Sequence, residues 1–321
     1  MSGPPAIGAV IVLGEVLVEL SSARALAHGQ SIRLGFSGDA LNSAAASAAA
    51  GARTTLVARV PDDELGDALV DHVASLGVDC SALLRMPGQH GMYLTRADPS
   101  GQRQFFYARR GSVGSQLSPE DVDDELLRSA DVVLASGVTC AISETAAAAV
   151  RHAAGLARRF VYDPNLRPRL TSREAAGLAL DAVAPHAWLV TPSWPDEATT
   201  LLGLPVEATT EQCLDALRRK GLRRSVLTCG PDGAVLDENG SVTAVPAPAA
   251  RRVVDQTGAG DSFAGTVAAR VAAGDRLADA VRLGVAAASL SVGGPGGTGY
   301  VPALEETRTH AGSAEWTGAP S

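Results

Sequence analysis

The chain has 321 residues, 46% of them hydrophobic, enough to bury a large core in one α/β domain or a domain with a small appendage. A formal net charge of −8 argues against nucleic acid as a partner, and no apolar run of about 18 residues lacks a charge or a break, so no membrane span is expected. Met1–Pro5 carry no basic segment of a secretory signal. The four cysteines (Cys80, Cys140, Cys213, Cys229) and six histidines form no metal-ligand spacing, so a reduced cytoplasm without disulfides or structural zinc is expected.

In chain order, 7–13 is an apolar run of strand length between Gly8 and Gly14, and Glu15 to Glu19 continues it in alternation. No GxGxxG follows, which removes the glycine turn that a dinucleotide pyrophosphate requires. Residues 31–36 alternate as a half-exposed strand does. Ser37-Gly38-Asp39-Ala40-Leu41-Asn42 then opens an Ala-rich helix ending near Gly51, where Asp39 and Asn42 suit either helix capping or hydroxyl binding. Residues 54–60 read as a strand and 64–76 as an amphipathic helix with Leu65, Leu69, Val73 and Leu76 on one face. Residues 92–96 and 104–108 read as strands joined by the turn signal Asp98-Pro99-Ser100-Gly101. Phe106 to Ser115, with Tyr107, Arg109 and Arg110, reads locally as a basic surface hairpin.

Residues 131–136 form a buried-type strand, followed by an Ala-rich helix through about Arg158. Phe160 to Asp163 is a further strand, and Asp163-Pro164-Asn165-Leu166-Arg167 stands at its carboxyl end, where open α/β sheets line their ligand crevice. A strand over 187–191 leads into Ser193-Trp194-Pro195-Asp196-Glu197. Lys220 is the only lysine and sits at an expected helix end. A Walker A loop needs a lysine between Gly and Ser or Thr, so that chemistry is excluded, and a pyridoxal Schiff base has no suitable lysine either. A strand over 224–229 precedes Gly230-Pro231-Asp232-Gly233, and Asn239-Gly240 marks a hairpin.

The richest stretch is Val253-Val254-Asp255-Gln256-Thr257-Gly258-Ala259-Gly260-Asp261, read as the end of a short strand opening a helix whose Phe263, Val267 and Val271 share a face. Gly258 and Gly260 allow backbone N–H groups to converge at a positive helix end, which makes an anion pocket. Asp261 beside it can accept the proton of an attacking hydroxyl, although the same pattern also occurs as a plain tight turn. Gly293 to Gly297 reads as a flexible connection, and Glu305 to Ser321 as a frayed polar tail.

The string Asp255 to Asp261 resembles the Asp-x-Thr-Gly-Ala-Gly-Asp signature of the PfkB (ribokinase-like) sugar kinases. Gly38, Asp39 and Asn42 match the family's Gly-Gly-x-x-x-Asn motif, with Ser37 in place of its first glycine. Within the family, Tyr107-Ala108-Arg109 and Asp163 to Leu170 are closest to the 2-keto-3-deoxygluconate kinases. The resemblance implies a doubly wound, mostly parallel sheet over 1–305, with a small β lid near 15–37 and 88–112, and a tail over 306–321. It implies an ATP-dependent kinase acting on the primary hydroxyl of a sugar acid. Asp261 is then the general base, with Gly258, Ala259 and Gly260 at the transferring phosphoryl group. Substrate would meet Gly38, Asp39, Asn42, Tyr107, Arg109 and Arg167, whose planar guanidinium suits a carboxylate. ATP would meet Asp163, Asn165, Ser193, Thr228, Gly230, Gly233 and Ala287. Mg²⁺ would be held through water by Asp196 or Glu197, and a monovalent cation is possible near Asp255. A homo-oligomer through the lid is implied as well. Fructokinase or ribokinase activity, and a sugar-binding homologue without turnover, are the alternatives.

Overall fold

The computed structural model describes residues 7–22, 24–96 and 104–313. The turn expected at Asp98–Gly101 lies outside them, as do Met1–Pro5 and the last eight residues. Thirteen strands are present among the described residues: β1 Ala9–Leu13, β2 Leu17–Ser22, β3 Arg33–Ser37, β4 Arg53–Pro61, β5 Leu83–Met86, β6 Met92–Arg96, β7 Gln104–Ala108, β8 Val132–Ser136, β9 Phe160–Asp163, β10 Ala187–Val190, β11 Arg224–Thr228, β12 Ala234–Glu238 and β13 Ser241–Val245. The helices are α1 Asp39–Ala49, α2 Glu64–Ser75, α3 Asp124–Ser129, α4 Gly137–Ile142, α5 Glu144–Leu156, α6 Arg173–Val183, α7 Asp196–Leu202, α8 Thr210–Arg219, α9 Ala259–Ala272, α10 Leu277–Ser291 and α11 Leu304–Ala311.

Nine strands form one sheet in the order β13-β12-β11-β10-β9-β8-β1-β4-β5. All neighbours from β11 to β5 run parallel, and β12 and β13 close one edge antiparallel. The central strands are apolar at nearly every position and buried, as strands covered by helices on both faces must be. The strand order reverses at β1, which has β4 on one side and β8 on the other, so a crevice opens at the carboxyl ends of β1 and β8. The β12–β13 hairpin turns through Asn239 and Gly240, both at positive φ, as the sequence signal requires.

The lid is a separate four-stranded sheet, β3-β2-β6-β7, built from the two expected insertions. Glu19, Tyr93 and Tyr107 lie in one cross-strand row, while Leu34, Leu20, Leu94 and Phe106 form the next row on the opposite face. Leu34 and Phe106 stand half exposed.

Four local expectations are corrected. No strand precedes α9, because the amides of Val254 and Asp255 both donate to the Val292 carbonyl at the end of α10, at 2.7 and 3.0 Å, rather than to a sheet neighbour. The Ala-rich stretch after β8 is two helices, since the Ser143 hydroxyl caps α5 through the Ala146 amide and breaks the run. The polar tail begins with a helix, α11, whose Thr307, His310 and Ala311 are buried. Gly293–Gly297 is packed rather than loose: the Gly296 amide donates to Asp255 at 2.9 Å, and a Cβ on Gly297 would meet Asn42 at 2.3 Å.

Candidate active site

Asp261 occupies the first turn of α9 and is only 6% exposed. Gly258 caps that helix at φ 82°, a left-handed conformation that costs a residue with a side chain, and no side chain caps the terminus. First-turn amides lack intrahelical acceptors, so this end remains available to an anion. A Cβ on Gly260 would meet nothing within 4 Å, so the loop is open on that side.

Two amides hold the Asp261 carboxylate. Asn42 from α1 donates Nδ2 to Oδ2 at 2.7 Å, and Asn165 donates Nδ2 to Oδ1 at 3.0 Å. Asn165 follows β9 at φ 44°, a conformation asparagine tolerates better than most residues. Burial, then the Asp39 charge, push the Asp261 pKa up to about 7, and Asn42, Arg167 and Asn165 pull against that rise. Relative to an exposed aspartate this biases the group by about 4 kcal/mol toward its protonated form, and leaves it poised near neutrality.

Asp39 sits at the start of α1, accepts a bond from the Ser136 hydroxyl, and is also raised by burial. Asp163, buried at the end of β9, is raised well above the usual carboxylate range by burial and by the Glu197 and Asp261 charges. Of the two carboxylates considered for the metal, Glu197 belongs to this cluster. It accepts bonds from the Leu166 amide and from the Ser193 amide and hydroxyl, at 2.6 and 3.0 Å for Ser193. Asp196 is exposed on the helix beside it. No group of three or more His, Cys, Asp or Glu able to hold a metal occurs among the described residues. Asp163 and Glu197 lie close enough for their charges to interact, and one or two carboxylates are what Mg²⁺ shared with phosphates and water takes from a protein.

The two arginines differ. Arg167 is exposed, donates among the described residues only to the neighbouring Leu166 carbonyl at 3.3 Å, and its charge favours ionisation of Asp39, Asp163 and Asp261. Arg109 is 8% exposed and is paired with Glu15 at the root of the lid. Tyr107 faces inward on the lid, stacked on Phe105 at 6.1 Å. Thr228 bridges to Ser193, and Gly230 and Gly233 follow in the turn after β11, bordering the same sheet end. Ala287 is 2% exposed on α10 and presents no open surface.

Sequence reasoning missed Glu15, Ser136, Tyr93 and Arg169. Arg169 Nη1 donates to the Phe105 carbonyl at 2.6 Å, tying the Asn165–Arg167 loop to the lid. Tyr93 is buried with its hydroxyl on Glu19. None carries a local signal, because each is defined by a partner distant in sequence.

The model for the pfkB family carbohydrate kinases matches residues 6–304. A 2-dehydro-3-deoxygluconokinase (a synonym of 2-keto-3-deoxygluconate kinase) of Thermoproteus tenax is 34% identical over 303 residues, 92% of this chain and 92% of that protein. Among solved structures, a PfkB protein from Polaromonas sp. JS666 superposes with a TM-score of 0.82 at 28% identity, covering 94% of this chain and 99% of that one. A putative ribokinase II from E. coli, solved in complex with ATP and Mg²⁺, gives a TM-score of 0.84 at 22% identity, covers 96% and 100% of the two chains, and shares the fold. The chain belongs to the pfkB family of carbohydrate kinases.

Proposed function

We infer that this kinase transfers the γ-phosphoryl group of ATP to the primary hydroxyl of 2-keto-3-deoxygluconate or a close sugar acid. The observation that carries the reading is Arg167, an exposed guanidinium without an acidic partner among the described residues, whose charge acts on Asp39, Asp163 and Asp261. A neutral sugar gives that charge no counterpart, whereas a carboxylate fits it bidentately. The 34% identity to a 2-dehydro-3-deoxygluconokinase supports the same substrate.

In this mechanism Asp39, Asn42 and Tyr107 hold the sugar hydroxyls beside Asp261. Asp261 accepts the hydroxyl proton as the sugar oxygen forms its bond to the γ-phosphorus and the bond to the ADP oxygen breaks. The amides of the Gly258-Ala259-Gly260 turn stabilise charge on the transferring group. Asp163, Asn165, Ser193, Thr228, Gly230 and Gly233 line the nucleotide side. Glu197, with Asp163 beside it, would hold Mg²⁺ through water, and the ion would supply charge neutralisation at the phosphates. Asp255, its carboxylate held by the amides of Thr257 and Gly296, would stand beside a monovalent cation. The four free cysteines support a cytoplasmic setting, and no described helix is long and apolar enough to cross a membrane.

The outer row of Leu34, Leu20, Leu94 and Phe106, half exposed at its two ends, supports self-association through the lid. Sedimentation at micromolar concentration is expected to show a dimer or larger assembly, and a Phe106→Glu variant to shift it toward monomer. A wild-type monomer removes this interface.

Asp261→Asn is expected to lower kcat by about a thousandfold or more, in the range expected when a positioned base and its charge are lost together. For the wild type, kcat/KM for the sugar should fall about tenfold per unit below pH 7, where Asp261 is protonated, and level off above it. A near-normal rate for the variant removes Asp261 as the base. Arg167→Ala is expected to raise KM for the keto-deoxy acid by about a hundredfold, the loss of a charge-assisted bidentate contact, while any turnover of fructose is unchanged. An equal effect on both sugars contradicts the carboxylate assignment.

A further inference from the structure

Glu15 follows β1 and is fully buried, at 0% exposure. A carboxylate so removed from water costs several kcal/mol unless charge and hydrogen bonds replace the solvent. The replacements come from the root of the lid. Arg109, the residue after β7, pairs with Glu15, and the Ser112 hydroxyl donates to Oε1 at 3.0 Å.

The chain crosses between core and lid at four places: after β1, after β3, before β6 and after β7. All four meet at Glu15. A Cβ on Gly38, after β3, would sit 2.5 Å from the Glu15 carbonyl oxygen. One on Gly91, before β6, would sit 2.6 Å from Oε1, and one on Gly114, beyond β7, 2.8 Å from Cγ. Real Cβ contacts are not that short, so this packing depends on three glycines giving way to one residue, Gly91 and Gly114 to its side chain and Gly38 to its carbonyl. Backbone bonds close the same knot, with Val18 N donating to Gly91 O at 3.0 Å and Val113 N to Gln89 O at 2.9 Å. The Arg109 guanidinium also lies 5.8 Å from the centre of the Tyr107 ring, and its charge reaches Asp39.

We propose that Glu15 is a positioning residue for sugar binding, which pins the lid root and holds Arg109 against Tyr107 and Asp39 without touching substrate itself. Arg109 is thereby committed to an internal partner, and Arg167 is left for the carboxylate. That last assignment rests on the sugar-acid reading above; the pinning of the lid does not.

The test is Glu15→Gln in the full chain, which keeps the shape and removes the charge. With 2-keto-3-deoxygluconate and ATP·Mg²⁺, its sugar KM is expected to rise at least tenfold while the ATP KM stays within twofold, a split that general destabilisation does not produce. In the ligand-free protein, amide hydrogen exchange is expected to quicken in β2, β6 and β7 and to stay unchanged in β9 and α9. An unchanged sugar KM, a parallel rise in both KM values, or unaltered lid exchange overturns the proposal. If wild-type protein turns over no sugar, the substrate reading fails, and the exchange result alone decides the role of Glu15. Should Glu15→Gln not fold, Ser112→Ala, which removes one of the two side chains holding the carboxylate, is expected to move both readouts the same way, with about a threefold change in sugar KM. No movement in that variant overturns the proposal equally.

Discussion

Everything at this site depends on keeping one carboxylate, Asp261, out of water yet able to ionise. Burial and the Asp39 charge drive its pKa up to about 7, and the two asparagine amides keep it from rising further. Those amides come from different parts of the fold, Asn42 from α1 and Asn165 from the loop after β9. The helix terminus that carries Asp261 also presents unpaired amides suited to an anion, so in the proposed mechanism base and phosphate cradle are one unit. A parallel sheet makes this possible, because it delivers the ends of β1, β8, β9, β10 and β11 to one edge.

The charge balance of that edge accounts for the division of labour between the arginines. Asp39, Asp163, Glu197 and Asp261 crowd together; burial raises the pKa values of Asp39, Asp163 and Asp261, and neighbouring carboxylate charges add to the rise at Asp163 and Asp261. Arg109 is drawn to Glu15 at the lid root, whereas Arg167 stands open to solvent. Arg169, two residues on, grips the lid strand β7, so a single loop contacts both Asp261 and the lid.

Much of this was legible in the sequence because it is local. The strands at 92–96, 104–108 and 160–163 fall where alternation and apolar runs put them, and Asn239-Gly240 turns the hairpin its dipeptide specifies. The signature at Asp255–Asp261 sits at a helix start as its glycines imply. What stayed hidden is defined by distant partners. Val253 and Val254 have strand propensity, but their segment bonds to the end of α10. Gly293–Gly297 looks like a linker until Asn42 and Asp255 are set beside it. Glu15 and Arg109 are 94 positions apart, and nothing in either neighbourhood announces the pair. The polar composition of 305–311 conceals a helix that needs to bury only Thr307, His310 and Ala311.

The central claim is that a sugar carboxylate is recognised and its alcohol phosphorylated. The most direct test is ADP release with ATP·Mg²⁺ across 2-keto-3-deoxygluconate, its galacto epimer, fructose, ribose and no sugar. The account predicts turnover confined to the keto-deoxy acids. Preference for fructose or ribose would contradict the role given to Arg167 while leaving a kinase, and silence with every sugar would contradict the substrate assignment as a whole.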